Sequence, residues 1–367
     1  MWKTVKLDDL IEIQNGYAFD SKKFSPQGKM PLIRIRDLKG GSDTQTRYTG
    51  DYDTKFIIKK GDFLIGMDGE FRCYEWKGPI ALLNQRVCRL QNFKEKLYRR
   101  YLFYVINDEL IKIEKNTGFT TVKHISSKKI NEIRLSLPPL EEQKQIVKKL
   151  DATFAEIDKN IENLKNKKEQ VESLVNRVLE EELKNAEGEN VKLGDLCQNL
   201  DRLRKPITKK NRRSGIFPYY GASGVVDYVD DYLFDQKLVL VGEDGAKWGA
   251  GSSTSFIING KSWVNNHVHV LKPNSEVVMH EWITYYLNSI NLQPWITGLT
   301  VEKLNQEKLS SIPIPLPPIQ EQKQIVKKLD AVNIEKDRSI NALNSQIDNY
   351  IALKSSILFN SLKSPSL

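Results

Sequence analysis

Leu137–Ala152 reads LPPLEEQKQIVKKLDA, and Leu316–Ala331 reads LPPIQEQKQIVKKLDA. The two stretches differ only at Leu140/Ile319 and Glu141/Gln320, so the chain carries one segment twice. Each copy opens with Pro-Pro, which ends a strand and suits a helix start. Glu141 and Glu142 then fall in a first turn, where carboxylates meet the positive end of the helix dipole. From there a heptad runs on. Its core series are Leu150, Ile157, Leu164, Val171, Val178 and Phe154, Ile161, Lys168, Val175, widened by Leu174, Leu179 and Leu183. The Asn- and Gly-containing NAEGEN stretch at Gly188 ends it. A helix over 140–185 spans about 65–70 Å at 1.5 Å per residue, too long for one compact domain to cover. It needs a partner helix.

The second copy supplies that partner. A helix over about 319–363 places Ile325, Leu329, Ile340, Leu343, Ile347, Tyr350 and Ile357 on one stripe, flanked by Leu353, Leu358 and Leu362. The stripe weakens at Asn333 and Lys336. Each helix follows a strand-rich segment, so an antiparallel pair with a globular unit at either end is expected, with parallel or intermolecular pairing as the alternative. The organisation read from the chain is globular 1–136, helix 137–187, globular 188–315 and helix 316–367.

The globular segments echo each other in order. VKLDDL (Val5–Leu10) returns as VKLGDL (Val191–Leu196), and FLIGMDG (Phe63–Gly69) as VLVGEDG (Val239–Gly245). NQRV (Asn84–Val87) returns as NNHV (Asn265–Val268), and YLFYVIN (Tyr101–Asn107) as WITYYLN (Trp282–Asn288). The polar GFTTVKH stretch (Gly118–His124) resembles GLTVEKL (Gly298–Leu304). Short apolar runs at Phe56–Lys59, Phe63–Gly66 and Val87–Leu90 predict strands, and Leu97–Leu110 predicts a helix, giving an α+β class. Between the anchors the halves diverge. PLIRIR (Pro31–Arg36) stands against PYYGAS (Pro218–Ser223), and only the second half has the basic run RLRKPITKKNRR (Arg202–Arg213). One fold carrying two different surfaces is the expectation.

With 367 residues and 40% hydrophobic composition the chain can bury two cores. Its net charge of +9 favours a polyanion, of which nucleic acid is the commonest. Cys73, Cys88 and Cys197 are far apart, without a C-x-x-C, which fits a reducing cytosol. The N-terminus lacks the apolar core of a signal peptide, and no run approaches the roughly 18 apolar residues of a membrane span. A cytoplasmic protein with no membrane partner is expected.

Enzyme chemistry is poorly represented. DNA amino-methyltransferases carry an Asn/Asp/Ser-Pro-Pro-aromatic loop, but here the tetrapeptides are LPPL and LPPI, without the polar residue or the aromatic. Asp68 with Glu70, and Glu243 with Asp244 and Lys247, lack the spacing of a metal-dependent nuclease. A Gly-Asp-Gly turn whose Asp caps backbone amides is the simpler reading. His267 and His269 alternate on a predicted strand without a nearby acidic or Cys partner, so no metal site is assigned. Candidate nucleic-acid contacts are Arg34, Arg36, Arg72 and Arg86 in the first segment, with Arg34 and Arg36 read on one face of a strand. In the second they are Arg212, Arg213, Tyr219, Lys247, Asn266 and His267. Lys123 and Lys303, in the Thr-containing loops, are phosphate candidates.

Taken together, the repeated LPP[LI]xEQKQIVKKLDA segments, GMDG/GEDG, NQRV/NNHV, GFTT/GLTV and PYYGASGVVDY (Pro218–Tyr228) resemble the specificity subunit of type I restriction-modification systems over essentially the whole chain. The resemblance implies two target recognition domains, each reading one half of a bipartite, asymmetric DNA site. It implies a coiled-coil spacer that docks two modification subunits, which bind S-adenosylmethionine and methylate adenine. Restriction subunits would add cleavage that depends on ATP and Mg²⁺. The chain itself would be non-catalytic and hold no cofactor. A non-reading assembly adaptor is the alternative.

Overall fold

The computed structural model describes residues 2–117, 123–298 and 300–363. The first half contains β1 (Lys3–Lys6), β2 (Glu12–Asn15), β3 (Met30–Ile33), β4 (Arg47–Tyr48), β5 (Ile57–Ile58), β6 (Phe63–Gly66), β7 (Cys73–Glu75), β8 (Ala81–Leu83), β9 (Val87–Gln91) and β10 (Arg134–Leu137). The second contains β11 (Glu189–Lys192), β12 (Cys197–Asn199), β13 (Ser214–Gly221), β14 (Gly224–Val229), β15 (Phe234–Asp235), β16 (Leu238–Gly242), β17 (Ser255–Ile258), β18 (Lys261–Val264), β19 (Val268–Pro273) and β20 (Pro313–Leu316). The repeat holds strand by strand, each having its counterpart ten strands later. Sheets β1-β10, β2-β9-β6-β7 and β4-β3-β8-β5 are matched by β11-β20, β12-β19-β16-β17 and β14-β13-β18-β15.

The helices are α1 (Arg99–Asn116), α2 (Ser127–Asn131), α3 (Leu140–Lys184), α4 (Leu193–Leu196), α5 (His280–Ser289), α6 (Gln306–Ser310) and α7 (Ile319–Ser361). The helix predicted at Leu97–Leu110 is α1, which begins at Arg99 and runs on to Asn116. No helix among the described residues is long and apolar enough to cross a membrane.

The chain divides into two compact units, Met1–Ile161 with Asp348–Leu367, and Glu162–Ile347. Both divisions fall inside α3 and α7 rather than at the helix entries, because each half-helix is packed on the core of one unit. In the first unit, Leu150, Phe154 and Ile157 of α3 join the buried cluster of Leu102 and Ile106 of α1. Tyr350, Ile357, Leu358 and Leu362 of α7 pack against that cluster, and Lys354 pairs with Asp158 at 2.7 Å. In the second unit, Leu183 joins Ile325, Val326 and Leu329 of α7 and Trp282 and Leu287 of α5, while Lys328 approaches Glu182 at 3.3 Å. The start of one helix meets the end of the other in each unit, so the pairing is antiparallel. At roughly 1.5–3 kcal/mol per buried side chain, packing outweighs these exposed ion pairs, worth about 0–1.

Two flanking positions depart from the expected stripe. Leu174 is 54% exposed and Leu353 is 47% exposed. On α3 the covered positions nearby are Val175, buried, with Val171 and Val178 half-buried; on α7 they are Tyr350 and Ile357, half-buried, so both leucines lie beside the covered stripe of their own helix.

The repeated EQ of the helix entries has a purpose that periodicity does not reveal. Gln143 and Gln322 are completely buried. Gln143 donates to the carbonyls of Pro138 and Lys96, each at 2.9 Å, and accepts from the Tyr98 amide at 2.8 Å. Gln322 donates to Pro317 at 2.9 Å and Val277 at 3.0 Å and accepts from the Met279 amide at 3.0 Å. One amide side chain thus ties the entry of each long helix to the segment that starts α1 or α5. A second pair continues the frame. Asn107 of α1 bonds both backbone groups of Cys73 in β7, and Asn288 of α5 does the same to Ser255 in β17.

Candidate nucleic-acid interface

Three of the turns singled out in each segment converge. In the first unit the Met67 amide bonds the Arg86 carbonyl, the Ile125 amide bonds Met67, and the Gly69 amide bonds Lys123, each at 2.9 Å. Gly69 takes φ +75°, which closes the Gly-Asp-Gly turn without a Cβ penalty. In the second unit the Glu243 amide bonds His267 and the Leu304 amide bonds Glu243, again at 2.9 Å. Asp68, Arg86 and His124 therefore correspond in place to Asp244, His267 and Lys303.

The side chains on this common frame differ. Asp68 lies 2.6 Å from His124 Nδ1 and 3.6 Å from Arg86 Nε. Asp244 lies 2.7 Å from His267 Nδ1, and Lys303 Nζ lies 2.7 Å from Glu243. The histidine has moved from the loop in one unit to the turn in the other. Each Asp engages an imidazole, where the sequence reading had it capping backbone amides.

The other candidates scatter. β3 stops at Ile33, so Arg34 and Arg36 do not share a strand face. Arg34 is half-buried, donates to Thr46 at 2.7 Å and lies over the Phe24 ring, while Arg36 is exposed on the following 3-10 turn. Arg72 pairs with Glu114 at 2.6 Å, tying its turn to α1. Lys123 donates to the Glu114 carbonyl at 2.8 Å. The remainder of its predicted loop, 118–122, lies outside the described residues. Tyr219 is 1% exposed and hydrogen-bonded to the Ile207 amide, so it is core and not a contact surface. Arg212 lies over its ring and pairs with Asp227 at 3.0 Å. Arg213, Lys247 and Asn266 are exposed.

The basic run is accordingly split. Arg204 turns inward, while Arg202, Lys205, Lys209 and Lys210 stay in solvent with Arg213. Beyond it, the β13–β14 hairpin exposes Ile216, Val225, Val226 and Tyr228.

Arg204 belongs to a buried ionic network that sequence separation concealed. Its guanidinium pairs with Glu243 and Asp201, and Asp201 pairs with His269 across 68 residues. His269 does not join His267: it is 1% exposed, its Nδ1 meets Asp201 at 2.5 Å, and its Nε2 meets the Leu304 carbonyl at 2.7 Å. Both ring nitrogens thus face oxygen atoms of the network. Asp201, Glu243 and His269 lie within metal-ligating reach of one another. However, Arg204 and Lys303 already bring positive charge to these carboxylates, and the network is complete as an ion cluster. Burial disfavours the charge on Asp201, but the hydrogen bond and charge of His269, with the Val270 amide and Arg204, hold its carboxyl below the usual range. Burial is likewise outweighed at Glu243 by Lys303 and Arg204.

Carboxyls with depressed folded-state pKa values stabilise above their ordinary range and lose that contribution as pH falls through the folded values. His269→Leu is therefore expected to cost the second unit about 3 kcal/mol near neutral pH. The deficit should narrow below about pH 4 as the carboxylates protonate. Thermal unfolding of the variant and parent across pH checks both; a deficit independent of pH would mean lost packing alone.

A family model described as the type I restriction modification DNA specificity domain matches residues 1–173 and 185–349. A type I restriction enzyme EcoBI specificity subunit from Escherichia coli is 37% identical over 177 residues, covering 48% of this chain and 36% of the relative. The match to that relative thus spans little more than a third of its length. A putative type I restriction enzyme MjaX specificity subunit from Methanocaldococcus jannaschii is 26% identical over 381 residues, covering 90% of this chain and 87% of the relative. A solved chain from work on complex assembly and conformational transition of the type I R-M system superposes with a TM-score of 0.70 at 18% identity, covering 99% of this chain and 98% of the other. That likeness concerns the fold.

Proposed function

The chain belongs to the type I restriction modification DNA specificity family, and from this premise we propose that its two target recognition domains read the two halves of a bipartite, asymmetric duplex site. The observation that carries the reading is a shared buried frame under unlike exposed tips. Gln143/Gln322 and Asn107/Asn288 make the same bonds in both units, whereas the convergent turns carry Arg86 and His124 in one and His267 and Lys303 in the other. The exposed lysines and arginines of 202–213 supply phosphate contacts to the second domain only.

The chain is the non-catalytic, targeting member of its complex. S-adenosylmethionine, ATP and Mg²⁺ belong to partner subunits, two of which methylate adenine, with restriction subunits adding cleavage. Docking on the long helices is supported by exposed apolar side chains there: Leu174 and Ile334 in the second unit, Ile351, Leu353 and Phe359 in the first.

Long-read mapping of methylated adenines, in a strain with the operon and without this chain, tests the proposal. A bipartite motif that vanishes with the chain is expected, with duplex binding that weakens steeply as salt rises. Exchange of one domain for a relative's should change one half of the motif. An unchanged motif after exchange would favour the adaptor reading.

A further inference from the structure

The convergent turns allow a sharper assignment, which rests on the reading above. We propose that Arg86 selects a guanine in the half-site of the first domain, aimed by Asp68, and that His267 with Asp244 holds the equivalent position in the second.

Three observations lead there. First, Arg86 takes φ +70°, a left-handed backbone that costs a non-glycine residue of this kind free energy. The cost is accepted at the tip of a turn whose carbonyl is pinned by Met67, so the side chain is carried to a set place. Second, that side chain is 57% exposed, yet its Nε lies 3.6 Å from Asp68, and its Nη1 lies 3.4 Å from His124 Nδ1. Third, the same frame in the other unit presents a different side chain, His267, half exposed and again beside an aspartate.

The carboxylate decides between phosphate and base. A cation placed to meet phosphate loses attraction when an aspartate stands beside it, since Asp68 repels the phosphate. A base edge carries only partial charges, so the same aspartate repels it far less, and the carboxylate limits the rotation of the cation. Guanine offers O6 and N7, the pair of acceptors that the arginine fork matches. At His267, an Nδ1 engaged by Asp244 leaves Nε2 for the base, so the second domain reads through one atom instead of a fork. A different base preference at the equivalent position of the other half-site follows.

The test uses the complete complex with its modification subunits. Methylated motifs are mapped by long-read sequencing for the parent, Arg86→Gln, Arg86→Lys, Asp68→Asn and His267→Gln. Arg86→Gln is expected to relax one guanine of one half-site, lowering discrimination there about 10- to 100-fold, with the other half-site unchanged. Arg86→Lys keeps the charge but loses the fork and should relax the same position. Asp68→Asn should relax that position more weakly, and His267→Gln should relax one position of the other half only. The salt slope of duplex binding should stay at the parent's value for Arg86→Gln. An unaltered motif in both Arg86 variants, or a uniform loss across sequences with a shallower salt slope, would overturn the assignment. A parent complex that methylates no bipartite motif would instead remove the underlying reading.

Discussion

Replacing Gln322 with leucine should destabilise the second unit by about 3 kcal/mol, a loss set by three stranded backbone partners. The side chain is fully enclosed, so the Pro317 and Val277 carbonyls and the Met279 amide lose one shared partner when it goes, the Pro317 bond being the most deeply buried. Leucine fills nearly the same volume, which keeps cavity formation out of the result. A fall in midpoint of roughly 6–12 °C is expected for a unit of this size. Gln143→Leu should act in the same way on the first unit, through Pro138, Lys96 and Tyr98. Hydrogen exchange resolved by segment separates the two. Protection should fall around α5 and the start of α7 for Gln322→Leu, and around α1 and the start of α3 for Gln143→Leu. Parent-like exchange in both variants would show that the clamp contributes little.

Removal of one heptad from the middle of both α3 and α7 is expected to cut methylation at the parent's sites by more than 100-fold. Seven residues shorten a helix by about 10 Å, close to three base pairs at about 3.4 Å each. Three base pairs are also about 100° of rotation in a duplex of about 10–10.5 base pairs per turn, so a half-site is displaced around the axis as well as along it. A full heptad preserves the apolar seam of Leu164, Val171 and Val175, and the helices keep their mutual register when both are shortened. The proposed spacer role predicts methylation reappearing, more weakly, at sites whose gap is shorter by about three base pairs. Methylation persisting at the original gap would reject that role and leave α3 and α7 as partner-docking elements only.

The contrast between these two predictions shows where information resides in the chain. The heptads of α3 and α7 are local and periodic, so burial of Leu150, Phe154, Ile157 and Leu329 could be read directly from spacing. The duplicated anchors make the two-unit organisation and its α+β character legible in the sequence, and the strand-for-strand match of β1–β10 with β11–β20 bears this out. Family membership came from those same duplicated residues, because a repeated helix entry with divergent interiors is a distinctive pattern. By contrast, charge marks out Arg34, Arg36 and Arg72, and alternation puts the first two on one strand face, but neither signal says where β3 ends or which neighbour holds a side chain. Glu114 claims Arg72 from 42 residues away.

Sequence by itself determined the repeat, the long amphipathic helices, the difference between the two surfaces and hence the kind of molecule this is. These depend on neighbours a few residues apart, whose spacing the backbone geometry of helix and strand imposes. Only the tertiary structure decided that Tyr219 is core, that His269 joins Asp201 and Glu243 while His267 joins Asp244, and that Arg86 stands beside Asp68. Such pairings follow from chain closure over tens of residues, and hydrogen bonds between side chains reward proximity in space without leaving a period in the sequence.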